Sequence, residues 1–222
     1  MNNVLIWGSK SQARIIEYMI NEQYPAFTVK VIFDPLSKNS SYNTKANFSN
    51  SLENLVELTS KVSHFIVCVG SSGYARFNIA QELKKFNLTS LSIISDHAFI
   101  DNSVHSGEGV QVMPGAVIHK FVNFGNQCIF NTNSSIDHEC ILGKGINVMP
   151  GATIAGRVKI EDFCTIGSNA TVLPDIKIGE GSFIGAGSVI VKDVLPYSVM
   201  MGVPGKYIKK NTLVYNNIFN SS

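Results

Sequence analysis

The chain has 222 residues, enough for one large domain or two small ones with a genuine apolar core. Its 18 basic and 16 acidic side chains leave a net charge of +2, far short of the basic excess that nucleic acid or an anionic membrane would need, so a small-molecule partner is expected. The opening MNNVLIWGSK has no basic leader or long apolar run, and no apolar stretch reaches the ~18 residues of a membrane span, so a cytoplasmic location is expected.

In the first half, apolar patterning alternates between strand and helix periods. NVLIWG reads as a strand, and SKSQARIIEYMINEQ as a loop opening an amphipathic helix with Ala13, Ile16 and Ile20 on one face. VKVIFDP is a second strand ending at Asp34 and Pro35, and SHFIVCVGSSG a third with a glycine turn. YARFNIAQELKKFN is a second helix and LTSLSII a fourth strand. This order predicts a small Rossmann-like parallel sheet over residues 1–95, with crevices of nucleotide size beyond the strand ends. The loop GSKSQ lacks the G-x-G-x-x-G spacing of a dinucleotide site. Cys68, Cys128, Cys140 and Cys164 form no CxxC pair and no zinc-spaced cluster, so they are read as small buried hydrophobes of a reducing compartment.

From Ile100 the pattern changes. In steps of six come Ile100, Ser106, Val112, Ile118, Phe124, Phe130, Ile136, Leu142, Val148, Ile154, Ile160, Ile166, Val172, Ile178, Ile184 and Ile190, aliphatic or Phe in every case but Ser106. Four places after each sits a second small or apolar residue, among them Val104, Val122, Cys140, Val158 and Ile176. A beat of six fits neither a helix nor a hairpin meander and is the signature of a parallel β-helix, in which three short strands close a triangular coil of eighteen residues. The phase is unbroken from 100 to 195, so no loop should interrupt the prism. Cys128 and Cys164 then lie two coils, roughly 10 Å, apart, too far for a disulfide.

Within this repeat, His138 of SSIDHECILG falls at the third place of its hexad, outside both interior positions. Glu139 beside it can orient the imidazole, and Gly156, one coil later, can offer an unobstructed backbone N–H. Base, supporting carboxylate and oxyanion donor are what transfer of an acyl group from a thioester to an amine requires. His119 and Asp137 should stack in neighbouring coils, as an active-site wall or an ordinary rim contact. A γ-carbonic-anhydrase type of zinc site would need three histidines, and this stretch supplies one.

IGEGSFIGAGSVIVKDV followed by MGVPGK resembles the left-handed β-helix acyltransferases, which use acetyl-CoA or a related thioester. NTNSSIDHECILG is similar to the corresponding stretch of the sugar N-acetyltransferases that modify nucleotide-linked 4-amino-4,6-dideoxy sugars, the PglD, VioB and PerB group. The resemblance implies a left-handed β-helix over residues 96–208 following an α/β domain over 1–95, with a tail at 209–222. It implies His138 as general base, Glu139 as its support, Gly156 at the thioester carbonyl and Asn131 at the matching asparagine. The nucleotide would be held by Gly8, Ser9, Lys10, Ser11 and Gln12 and by Asp34 and Pro35. Gln12 stands where a histidine is frequent, and Pro35 where a second acid is. Gly70 and Arg76 are either contacts to the nucleotide or its loop, or a turn glycine and a solvated arginine. CoA would run past Asn147, which stands in place of a further histidine, Gly156, Gly185, Ala186, Gly202 and Lys206. The implied enzyme is an acetyl-CoA-dependent, metal-free homotrimer on a route to surface polysaccharide, acting by direct attack without an acyl-enzyme. A sialic-acid-type O-acetyltransferase and a catalytically silent nucleotide-sugar-binding scaffold remain as alternatives.

Overall fold

A computed structural model describes residues 2–70, 72–215 and 219. Chain contacts divide it into two units, one of residues 1–71, 75–93 and 215–222, the other of residues 72–74 and 94–214.

The first unit is built on a five-stranded parallel sheet in the order β3-β2-β1-β4-β5. These strands are β1 (Asn2–Trp7), β2 (Phe27–Phe33), β3 (Asn47–Ser49), β4 (His64–Val67) and β5 (Thr89–Ser90), with helices α1 (Ser11–Gln23), α2 (Leu55–Ser60) and α3 (Gly73–Lys84) between them. Leu5, Phe33, Phe65 and Val67 form a continuous core with Leu55, Leu58, Ile79 and Leu83 from α2 and α3. Ala13, Ile16 and Ile20 of α1 are buried as their spacing requires, and the charged Glu17 is buried among them. Both β3 and α2 escape sequence reading, since three polar-flanked residues and a six-residue helix are too short to display a period. The strand order reverses at β1, so the loops after β1, β2 and β4 converge at the carboxyl edge of the sheet, where such folds take ligands.

The second unit is a triangular left-handed prism. Face A stacks six strands, from Phe99–Ile100 through Ser135–Ile136 and Thr153–Ile154 to Val189–Ile190. Face B stacks five, from His105–Ser106 to Lys177–Ile178. Face C has eight and ends in the antiparallel pair Ser198–Met201 and Lys206–Lys210, so the first residues of the expected tail are strand. Its other end residues, 216–218 and 220–222, lie outside the described residues. Register is eighteen residues from coil to coil, with Ile136 opposite Ile118 and Ile154, until the last steps, where Ile178 meets Val194 and Phe183 meets Val199. The two apolar places of each hexad fill the interior as one column-like core running from Val110 to Val194. Among the described residues no helix is long and apolar enough to cross a membrane.

The three edges of the prism turn differently. In the central coils each corner places one residue at positive φ, a conformation that costs a side chain roughly 1 kcal/mol. Between faces C and A these residues are Gly115, Asn133, Gly151, Asn169 and Gly187, all of the tolerant types. Between faces A and B they are Phe121, Glu139, Arg157 and Asp175, with no glycine or asparagine. That edge accepts backbone strain and carries a ladder of large side chains.

Candidate active site

His138 stands at the strained A/B edge, held by its own turn. Its backbone N–H donates to Asp137 Oδ1 at 2.8 Å, and its carbonyl accepts from the Arg157 N–H of the next coil at 2.9 Å. Glu139, at φ 60°, donates its N–H to the Lys120 carbonyl at 2.9 Å. That left-handed turn swings the Glu139 carboxylate back onto the imidazole, where Oε2 is 2.9 Å from Nδ1. With a carboxylate accepting at Nδ1, the proton sits there and Nε2 keeps its lone pair, the tautomer a base needs. The imidazole is 39% exposed, open to a substrate yet tethered.

Gly156 lies directly under the ring. A Cβ built there would come within 2.7 Å of both Nε2 and Cε1 of His138, so no larger residue fits with the ring in this pose. The glycine is buried, and its N–H has no acceptor among the described residues. Buried donors are nearly always matched, so this N–H beside the imidazole is able to donate to a further acceptor. Further along the edge, Arg157 grips Asp175 through two bonds of 2.7 and 2.8 Å, and the bond to Arg157 holds the Asp175 carboxyl below the usual carboxylate range. The sequence carries this ladder at an eighteen-residue step from Glu139 to Arg157 to Asp175, but only the corner geometry shows that these positions stack. Beside the edge, face A forms an open groove lined by Val117, His119, Ser135, Asp137, Thr153 and Ala155, so His119 and Asp137 stack along the same groove.

Other expected residues lie elsewhere. Asn131, Gly185, Ala186 and Gly202 follow the C/A edge, a full face away from His138. There Asn131 donates to the Val148 carbonyl at 3.1 Å, and the Gly202 N–H donates to Ser188 Oγ at 3.1 Å. Lys206 is exposed at the start of the last strand. Asn147, expected against CoA, is only 1% exposed and offers no open surface to a ligand; like its pairing neighbour Ile129, it is an outward position that packing has closed.

In the α/β unit, two expected residues are turned inward. Arg76 is not a solvated arginine and contacts the loop after β4. It is the largest fully buried side chain and donates from Nη1 to the Val69 carbonyl at 2.8 Å, because the first turn of α3 points it back under the β4 loop. Asp34 is also turned inward. Its Oδ2 accepts from the Ser9 N–H at 3.0 Å, Ser9 Oγ at 2.7 Å and Ser37 Oγ at 3.0 Å, while Oδ1 accepts from the Leu36 N–H at 3.1 Å. Its carboxylate therefore ties the β1 and β2 loops together. Gly8, at φ 114°, makes the sharp exit from β1, and a Cβ there would press on the Cys68 carbonyl at 3.0 Å. Ser9 is buried, Lys10 and Ser11 are exposed, and Gln12 and Pro35 are half-buried. Gly70 has open space around it.

All four cysteines are buried thiols outside any disulfide. Burial pushes the Cys140 thiol up to about 11 and Cys164 up to about 12, and raises Cys68 further, so none of these three supplies a thiolate nucleophile near neutral pH.

The family model for bacterial transferase hexapeptide (six repeats) matches residues 157–192. No match was found among curated proteins. Among solved structures, the perosamine N-acetyltransferase from Caulobacter crescentus, as a histidine-to-asparagine variant in complex with CoA and GDP-perosamine, is 25% identical. It aligns over 95% of this chain and 98% of its own, with a TM-score of 0.85. The acetyltransferase domain of PglB from Neisseria gonorrhoeae is 23% identical over 94% of this chain and 100% of its own, TM-score 0.83. WeeI from Acinetobacter baumannii is 23% identical over 92% and 99%, TM-score 0.81. The chain is thus similar, over nearly its whole length, to a sugar N-acetyltransferase that binds CoA and GDP-perosamine, and it carries the bacterial transferase hexapeptide repeat.

Proposed function

We propose that the chain transfers the acetyl group of acetyl-CoA to the 4-amino group of a nucleotide-linked 4-amino-4,6-dideoxyhexose, with His138 as general base. The observation that carries this reading is the position of His138 Nε2, free of its own chain and poised over Gly156 while Nδ1 is tied to Glu139. In the step envisaged, the amine nitrogen attacks the thioester carbonyl carbon and a C–N bond forms. Nε2 takes the amine proton and the Gly156 N–H donates to the oxygen as it becomes an oxyanion. Collapse breaks the C–S bond, and the imidazolium returns its proton to the leaving thiolate. The buried, protonated cysteines leave direct attack as the simplest route.

The loop from Gly8 to Gln12 is assigned to the nucleotide diphosphate, with exposed Lys10 and Ser11 at the opening of α1. Asp34 acts there by shaping the loop. The perosamine N-acetyltransferase of similar fold binds CoA and GDP-perosamine, which supports the same two classes of partner here. A threefold assembly is part of the proposal. His138 and Gly156 occupy the A/B edge, whereas Gly185, Ala186 and Gly202 follow the C/A edge. A single prism cannot bring both to one CoA, but an edge of one copy can meet the other edge of the next.

The test is turnover of UDP-, dTDP- and GDP-linked 4-amino sugars with acetyl-CoA, read as thiol release, for wild type and His138→Asn. The variant should lose about 10² or more in kcat while keeping its melting temperature. Near-full activity in His138→Asn would refute the base. Turnover of hydroxyl but not amine acceptors would favour O-acetylation, and nucleotide binding without any turnover would favour a scaffold.

A further inference from the structure

We propose that Cys140 is a positioning residue for acyl transfer: its S–H holds the Ala155–Gly156 peptide so that the Gly156 N–H faces the reacting carbonyl. The inference rests on the reading of Gly156 given above.

The Cys140 thiol donates to the Ala155 carbonyl at 3.1 Å from inside the prism. The Ala155–Gly156 peptide is trans, so a carbonyl drawn inward turns the N–H on its far side outward, toward the ring and the groove that Ala155 lines. Burial keeps the thiol protonated and therefore a donor at neutral pH. Interior positions of the same column are Val104, Val122, Val158 and Ile176. Only at Cys140 does this edge place a donor beneath a peptide, and the peptide it meets is the one beside His138.

The fold also supplies a control. Cys128 and Cys164 make the same bond, to the carbonyls of Gly143 at 3.2 Å and Gly179 at 3.1 Å, on the B/C edge away from His138. A purely structural role would make all three equivalent. A positioning role singles out Cys140.

The experiment compares Cys140→Val, which fits between Val122 and Val158, with Cys140→Thr, nearly the same shape but carrying a hydroxyl donor, and with Cys164→Val. Kinetics would use acetyl-CoA with the best-turned-over 4-amino-sugar nucleotide. The Gly156 amide resonance would be followed as acetyl-CoA is added, a readout that needs no acceptor. Cys140→Val should lower kcat roughly three- to tenfold with the KM for acetyl-CoA within about twofold, and should blunt the acetyl-CoA shift of the Gly156 amide. Cys140→Thr should recover most of both, and Cys164→Val should behave as wild type. If Cys140→Val also loses melting temperature, the kcat ratio between the Val and Thr variants still decides, since packing loss is common to both. Equal kcat and equal amide shifts in the two, or an equal slowing by Cys164→Val, would overturn the inference. If His138→Asn is inactive while Cys140→Val is normal, this inference alone fails. If His138→Asn is fully active, the reading beneath it fails first.

Discussion

The prism and the α/β unit spend their residues under different rules. In the prism, a side chain's neighbours are found by adding or subtracting eighteen, so His138 and Gly156 meet because the coil says so. In the α/β unit, Asp34 meets Ser9 across twenty-five residues and Glu17 meets Thr44 across twenty-seven, joined only by how strands and loops happen to pack. A repeat makes contacts addressable from sequence, and an aperiodic sheet does not. The same rule explains why exposure was legible for His138, while for Arg76 a solvated and a loop-contacting reading both stood open.

The comparison is most exposed to failure at Arg76. A fully buried guanidinium bonded to the Val69 carbonyl cannot be removed without leaving a cavity and an unmatched acceptor. Arg76→Ala should therefore cost about 3 kcal/mol of stability, seen as a lowered urea midpoint. If the variant instead kept its midpoint and lost only nucleotide-sugar binding, Arg76 would be a ligand contact after all, and the α/β unit would have been as readable as the prism.

Gly156 is the matching test on the other side. An added methyl would lie 2.7 Å from the His138 ring, and the ring, being the end of a rotatable side chain, is what would give way. Gly156→Ala should then fold with a stability change of about 1 kcal/mol or less, yet lose about ten- to a hundredfold in kcat as Nε2 is displaced. A variant with normal kcat would show that the address computed from the repeat, though geometrically right, is not where the chemistry happens.

How far sequence reading reached follows the same division. The six-residue beat revealed the prism, its interior columns, its unbroken phase and the edge placement of His138. It did not reveal that the A/B edge forgoes glycine at four successive left-handed corners, although Phe121, Glu139, Arg157 and Asp175 were all in view. Knowing which hexad place turns left-handed requires coordinates. In the first unit β1, β2, β4 and α1 announced themselves by period, whereas β3 and α2 were too short to do so. Asp34 was recognised at its strand end, but its bonds to Ser9 and Ser37 were not legible, since a carboxylate there looks the same whether it faces a ligand or a hydroxyl. The burial of Asn147 was not legible within the repeat either, because the beat distinguishes inward from outward but not outward from covered.

The two units should nevertheless agree in one respect, and this gives the smallest effect, absent at neutral pH. An ordinary thiol ionises near 9, whereas burial holds Cys140 at about 11, Cys164 at about 12 and Cys68 higher still. Below pH 9 both folded and unfolded chains keep these protons, and stability does not depend on them. Above it the unfolded chain releases protons that the folded chain retains, so stability falls as pH rises, continuing until the folded thiols themselves ionise. Melting temperatures measured from pH 8 to 11 should decline. Cys164→Val in the prism and Cys68→Ala in the α/β unit should each shallow that decline by a similar amount. Matching slopes in the variants and wild type would mean that water reaches these thiols. Unequal shallowing would extend the contrast between the units from how contacts are addressed to how well their cores exclude solvent.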